Sequence, residues 1–474
     1  MRDLSRAFID GQWVMTPRSY AVRNPTTNHV IGDVADCGEA EATRAIDASV
    51  ASFESWRKET AYTRARVLQR WNELILDHEE ELARVMTDEM GKPIRESRGE
   101  VKYAAGFVSW FAQEAMRIYG ETIPSQFAHK RLIVHKQAIG PVVAITPWNF
   151  PAAMVTRKAA PALAVGCTVI LKPAEQTPTT ALFLGQLWEE AGGPSGTLQV
   201  LPTNDPQTLG NALLNDQRIR KLTFTGSTEI GKVLYRASAD TLKRVSLELG
   251  GHAPFLIFED ANLDKAVQEV VACKFRNAGQ TCVCTNRIYV QDPIKDVFAE
   301  KFTQAVRQLR MGDPREDGTD IGPLVDQQGL LKVQEHVADA LNTGAELLTG
   351  GRVHEGLYYE PTVLIDLGND ARMLTEETFG PVAPIMSFHD ESEAVRRAND
   401  TDYGLAAYLW TENLGRAFRV SEALNFGVVG INDGVPSTPQ APFGGVKNSG
   451  QGREGGKWGI EEYLDVKYIS LSLD

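Results

Sequence analysis

The sequence predicts an α/β protein built on a parallel, doubly wound sheet, followed by a second α/β domain. Three observations carry this. Short apolar runs alternate with helical periodicity between residues 142 and 249, and strand, helix, strand, helix at that spacing requires parallel strands joined by right-handed crossovers. The alternation resumes after Gly250-Gly251. The composition, 43% hydrophobic and 23% charged over 474 residues, is that of an ordinary globular chain with room for roughly two to four domains.

Taken in order, residues 8–36 hold short alternating segments broken by Gly11, Pro17 and Asn24-Pro25, which reads as a small hairpin start. Residues 38–111 turn helical: Arg64, Val67, Leu68, Trp71, Leu74, Ile75 and His78 recur at three- and four-residue spacing, and Gly91-Lys92-Pro93 interrupts the run. Residues 118–138, with Ile123-Pro124 and Leu132-Ile133-Val134-His135, read as an extended ribbon inserted after the helices. Strands follow at 142–145, 168–171, 198–201, 222–224 and 245–249, with helices between them. Beyond Gly251, a helix over 263–276, a strand at 287–290 and a helix over 295–309 open the second domain. The last residues, Tyr463 to Ile469, alternate as a half-exposed strand that needs a partner, and the 118–138 ribbon can supply it.

Composition also excludes function classes. A net charge of −13 argues against nucleic acid as a partner, which needs a basic face. No stretch approaches the roughly 18 apolar residues of a membrane span, and no basic segment followed by an apolar core marks a signal peptide. Five cysteines, an odd number in a long chain, suit a reducing compartment rather than a disulfide framework, so a cytoplasmic location is expected. Eight scattered histidines show no ligand spacing, so no metal is expected.

Chemistry is expected just beyond the carboxyl ends of the strands, where open α/β sheets bind ligands. Asn149 follows the first strand, Lys172 and Glu175 the second, Gly226 and Gly231 the fourth, and Glu248 closes the fifth. Thr225-Gly226-Ser227-Thr228-Glu229-Ile230-Gly231 opens a helix directly after a strand, a setting for phosphate at a helix N-terminus, although its spacing is not G-x-G-x-x-G. Glu175 suits ribose hydroxyls and repels a 2′-phosphate. A carboxylate in the apolar strand at Glu248 is costly unless paired or functional. The stretch from Arg276 to Cys284, Arg-Asn-Ala-Gly-Gln-Thr-Cys-Val-Cys, sets Cys282 among small and polar residues, whereas Cys273 lies in the apolar run Val270-Val271-Ala272. Taken alone, that loop is compatible with a presented thiol or with a structural turn.

Six motifs in order then carry a resemblance over essentially the whole chain: Pro147-Trp148-Asn149-Phe150-Pro151, Leu171-Lys172-Pro173-Ala174-Glu175, Phe224-Thr225-Gly226-Ser227, Glu248-Leu249-Gly250-Gly251, Gly279-Gln280-Thr281-Cys282 and Glu377-Thr378-Phe379-Gly380-Pro381. The sequence resembles the NAD(P)-dependent aldehyde dehydrogenases. With Cys282-Val283-Cys284, Pro442-Phe443-Gly444-Gly445-Val446-Lys447 and Gly452-Arg453-Glu454-Gly455, it is most similar to succinate-semialdehyde dehydrogenases. The resemblance implies a Rossmann-type cofactor domain (1–117 and 139–249), a catalytic domain (250–455) and a small β oligomerisation extension (118–138 and 456–474). It implies a homo-oligomer, dimer or tetramer. Cys282 is then the nucleophile, Glu248 the general base and Asn149 an oxyanion donor. Trp148, Lys172, Glu175, Gly226, Ser227, Gly231, Glu377 and Phe379 are cofactor contacts, with NAD favoured by Glu175 and NADP the alternative. Arg157, Arg276 and Ser437 match positions that bind the distal carboxylate of a semialdehyde, and arginine suits that task because its fork pairs both oxygens. Two prolines in Val435-Pro436-Ser437-Thr438-Pro439-Gln440 depart from the usual pattern and leave glutarate semialdehyde or another ω-oxo acid open. Cys284 is a redox-switch candidate. A CoA-acylating enzyme, a thiol hydrolase and a silent homologue are the other readings; Glu248 argues against the first, and retention of Cys282, Glu248 and Asn149 against the last.

Overall fold

The computed structural model describes residues 4–473. Five parallel strands form the centre of an eight-stranded sheet, in the spatial order Leu198–Val200, Val169–Lys172, Val142–Ile145, Lys221–Thr225 and Arg244–Glu248. Chain order therefore reads 3-2-1-4-5, and the direction of winding reverses between Val142–Ile145 and Lys221–Thr225. Such a reversal opens a crevice at the carboxyl ends of the two strands. Ile145 pairs with Phe224 and Thr225 with Glu248, so the segments that begin at Thr146, Gly226 and Leu249 leave the sheet side by side.

The expectation of a parallel sheet is corrected at both edges. Ala7–Ile9 lies antiparallel to Leu198–Val200 and carries Gln12–Val14 as a hairpin, and Gly450–Gln451 lies antiparallel to Arg244–Glu248. A two-residue connection can join only antiparallel strands, so Asp10-Gly11 sets the direction of Gln12–Val14 against Ala7–Ile9. A second hairpin pairs Ser19–Arg23 with Val30–Ala35.

The helices Glu39–Trp56 and Ala153–Val165 pack on this sheet, and Ala61–Asp77, Glu79–Met90 and Ile94–Glu114 form a further layer, packed on helices including Ala153–Val165. Ala153–Val165 is buried on every face, which explains why its sequence is nearly all small and apolar. Trp56 and Trp71 each meet Trp188 edge-on, at 6.2 and 5.4 Å between ring centres, an arrangement worth about 1 kcal/mol per pair beyond the area buried.

The second sheet has seven strands: Glu346–Thr349, Thr362–Ile365, Val382–Phe388, Thr285–Gln291, Ala253–Ile257, Ala406–Trp410 and Val428–Ile431, all parallel except the first. The chain passes from the carboxyl end of Arg244–Glu248 straight to the amino end of Ala253–Ile257. Ala253 pairs with Thr285, so the cysteine loop, which runs into Thr285, sits beside Gly250-Gly251. The carboxyl edge of one sheet thus faces the amino edge of the other.

The C-terminal strand Leu464–Ser472 pairs antiparallel with Lys130–Ala138 of the same chain, and Glu121–Ile123 lies beyond. Val466, Tyr468 and Leu471 are exposed on it. No helix among the described residues is long and apolar enough to cross a membrane.

Candidate active site

Between the two sheets lies a cavity of about 320 Å³ lined by Trp148 and Asn149 from the first strand end, Gly226 and Ser227 from the fourth, Cys282 from the loop, and Glu377 and Phe379 from the segment before Val382–Phe388. Each backbone in this wall is tightly constrained. Asn277, Ala278 and Gly279 adopt three consecutive left-handed conformations (φ 54°, 53° and 75°), which ends the helix Leu263–Phe275 and turns the chain toward the crevice. Two of these residues carry side chains, at a cost of roughly 1–2 kcal/mol each. A Cβ on Gly279 would collide with the Gly380 carbonyl, so glycine is required there for space as well as for φ. Gly251 meets the Cys282 carbonyl in the same way.

Cys282 is the half-buried cysteine of the five. Burial pushes its thiol up to about 12, and the charges of Glu377 and Glu248 add to the effect. A thiol so disfavoured as thiolate needs a base. Glu248 is the acid expected to supply it: both carboxyl oxygens are buried without a hydrogen-bond partner, and the carboxyl lies against the backbone of Gly444 rather than in the cavity wall. Burial, then the neighbouring Glu454, holds its proton well above the ordinary carboxylate range. Asn149 donates from Nδ2 to the Gln280 carbonyl at 3.1 Å, which docks the strand-end loop onto the cysteine loop. Its second N–H remains for a ligand.

The residues expected at the cofactor divide between the cavity, a separate cleft and positions committed to the fold. Trp148 and Phe379 meet edge-on at 5.6 Å, with Phe379 held at φ 57°. Glu377 accepts from the Gly251 amide at 3.0 Å, and burial raises its carboxyl to about 7. Lys172 and Glu175 pair with each other at 2.5 Å; Glu175 faces a separate cleft of about 930 Å³, which shares Val325 and Asp326 with the smaller cavity. Ser227 caps the helix Thr228–Ala239 by accepting from Ile230 N–H at 3.3 Å, so its hydroxyl is committed to the fold. Gly231 packs on Leu249 and does not line the cavity. The aromatic pair, the buried Glu377 and the helix N-terminus fit a nicotinamide dinucleotide.

The aldehyde dehydrogenase family model matches residues 13–469. The chain belongs to the aldehyde dehydrogenase family. A succinate-semialdehyde dehydrogenase [NADP(+)] of Escherichia coli is 52% identical over 99% of this chain and 98% of its own. A glutarate-semialdehyde dehydrogenase of Pseudomonas putida is also 52% identical, over 99% and 98%. The crystal structure of an E. coli NADP-dependent enzyme superposes with a TM-score of 0.98 at 52% identity, covering 99% of this chain and 98% of that one.

In this aldehyde dehydrogenase the three carboxylate-class residues are not equivalent. Arg276 is buried at Nε without a partner, and its guanidinium lies 5.4 Å from the centre of the Phe150 ring, next to Asn149 in sequence. Arg157, 2% exposed, is already spoken for. Its Nε pairs with Glu454 at 2.8 Å and its plane covers Phe443 at 4.1 Å, which leaves Nη2 as its free donor. Ser437 is half-buried on a loop fastened by Gly456 N–H to the Pro439 carbonyl at 2.8 Å. Cys284 is fully buried; its thiol donates to the Gly279 carbonyl at 3.3 Å and receives Lys274 Nζ at 3.7 Å.

Sequence reasoning passed over Lys158 and Glu454. Lys158 donates to Glu454 and to Thr225 Oγ1 (2.6 Å). Burial raises Glu454, but Lys158 and Arg157 outweigh it and hold the carboxylate ionised. The available signal was the pair Arg157-Lys158 inside an otherwise apolar helix: two adjacent charges there require a buried acid.

Proposed function

We propose that this chain is an NAD(P)-dependent dehydrogenase that oxidises succinate semialdehyde to succinate. The observation that supports the reading is Arg276, whose Nε has no partner, at the start of a loop that brings Cys282 into one cavity with Asn149. The Cys282 thiolate attacks the aldehyde carbon, and the carbonyl electrons move to oxygen, where the Asn149 amide and the Cys282 N–H hold them. Trp148, Glu377 and Phe379 would hold a nicotinamide, which when bound would supply the acceptor for the hydride of that carbon. Glu248 takes a proton from water, the hydroxide adds to the resulting thioester, and the C–S bond breaks to return the thiolate and release the acid. Arg276, with the free Nη2 of Arg157 and Ser437, receives the distal carboxylate.

Glu175 favours NAD, because its carboxylate repels a 2′-phosphate, although the E. coli relative is named for NADP(+). Glutarate semialdehyde is the second reading, supported by the equal identity to the P. putida enzyme. We further assign residues 1–117 and 139–249 to cofactor binding, 250–455 to catalysis, and 118–138 with 456–474 to assembly of a cytoplasmic dimer or tetramer. Initial rates of NADH and NADPH formation with succinate semialdehyde, glutarate semialdehyde and an uncharged aldehyde test the assignment. Added CoA separates hydrolysis from acyl transfer. No reduced cofactor with any of the three overturns it.

A further inference from the structure

A buried ion pair lies behind the oxyanion loop. Lys92 and Glu100 bond to each other with side chains 0% and 1% exposed. Lys92 follows the left-handed Gly91 (φ 76°), between two helices, and enters the core rather than solvent. Taking two charges out of water costs several kcal/mol per ion, and one ion pair does not by itself return that. The remaining bonds of the pair show where it is used.

Lys92 Nζ donates to the backbone carbonyl of Asn149 at 2.7 Å and sits 3.9 Å from the centre of the Phe150 ring. Glu100 Oε1 accepts from the amides of Ala152 and Ala153 at 2.9 and 3.2 Å, at the start of the helix Ala153–Val165. The two side chains therefore hold both ends of the turn 149–153. Asn277 holds the same Asn149 carbonyl from the other side, through Nδ2 at 3.2 Å, and bonds the Gln280 carbonyl at 3.2 Å. The Asn149 side chain reaches that same Gln280 carbonyl. Every bond in this network ends on the backbone that aims the Asn149 amide or on the loop that carries Cys282.

We propose that Lys92, paired with Glu100, is a positioning residue for the oxyanion site: it clamps the Asn149 carbonyl so that the Asn149 amide is preorganised beside Cys282. This rests on the aldehyde oxidation proposed above. Preorganised donors stabilise a developing oxyanion because no reorganisation is needed as charge appears, and a displacement of about 1 Å is enough to forfeit much of the gain. The clamp acts on the reacting state: its hydrogen bonds fall on the 149–153 turn and not on Trp148, Glu377, Phe379 or Arg276.

Lys92→Met alone strands a buried carboxylate and risks misfolding, so the informative variant is Lys92→Met/Glu100→Gln. It removes both charges at similar volume, and the amide oxygen that replaces the Glu100 carboxylate still accepts from Ala152 and Ala153. The expected result is a folded protein with an unchanged melting temperature within a few degrees and unchanged NAD(P)H affinity by fluorescence titration. Its kcat falls by about 10- to 100-fold while KM for the aldehyde moves less than about threefold. In an Asn149→Ala background the same double change lowers kcat by less than about threefold, because the donor it positions is gone. If kcat is unchanged, or falls by the same factor with and without Asn149, Lys92 is a structural residue and the proposal is wrong. If wild type reduces no cofactor with any aldehyde, the underlying functional reading has failed instead.

Discussion

Arg276→Ala separates substrate recognition from chemistry. Arg276 is half-buried, its buried Nε bonds to no protein group, and its aromatic neighbour Phe150 takes no hydrogen bond from it. A bidentate carboxylate contact there consists of two charge-assisted hydrogen bonds, each worth about 1.5–3 kcal/mol net. Taking the lower value, because the alanine cavity admits water, the loss is about 3 kcal/mol, or about 100-fold in kcat/KM for succinate semialdehyde. Butanal, of the same carbon number without the carboxylate, loses almost nothing, since the binding it forfeits is only contact with the methylene stem. Initial rates followed at the absorbance of the reduced cofactor, over a substrate range that defines KM, measure both. An equal loss on the two aldehydes refutes the carboxylate role and makes Arg276 a scaffold for the loop.

The Glu377 carboxyl, raised by burial to about 7, is expected to accept stronger hydrogen bonds from ribose hydroxyls when ionised than when protonated. Cofactor affinity is therefore expected to weaken as pH falls through 7 in wild type and to stay flat in Glu377→Gln, as read by titration at fixed ionic strength. The sign for stability is opposite: the folded state binds this proton more tightly than the unfolded chain, so its contribution is present at low pH and lost as pH rises through 7. Gly279→Ala is expected to cost about 2–4 kcal/mol in urea unfolding, because φ is 75° and the new methyl strikes the Gly380 carbonyl; a variant of wild-type stability and kcat would show that the loop relaxes. For Cys284, peroxide inactivation of the wild type is expected to reverse with dithiothreitol, and that of Cys284→Ala to resist it. Identical recovery in both excludes Cys284 as the resolving thiol.

Much of the architecture was legible because secondary-structure periodicity is local. The strands at Val142–Ile145, Lys221–Thr225 and Arg244–Glu248 announce themselves as short apolar runs, and the residue after each one is by that fact at a strand end. At the edges, the hairpin expected over 8–36 was legible, but its antiparallel docking on Leu198–Val200 and the opposite edge were not. Gly450–Gln451 joins the first sheet from a chain position far beyond the strand it extends, and nothing in two residues foretells a partner. Nor does periodicity separate arginines. Arg157 and Arg276 looked alike in sequence, whereas Glu454, which arrives from the far end of the chain, occupies one and not the other.

Sequence by itself determined that a cysteine loop, an acidic strand end and an asparagine turn belong to one α/β framework, because residue type and spacing carry that information. Tertiary structure decided what each side chain is free to do. The amino edge of the second sheet brings Cys282 to the carboxyl edge of the first, burial lifts its thiol and leaves both Glu248 oxygens without a partner, and Lys92, an ordinary lysine in the linear chain, is clamped on the Asn149 carbonyl. Desolvation and hydrogen-bond assignment depend on which groups meet across the fold, so they are properties of the packed molecule.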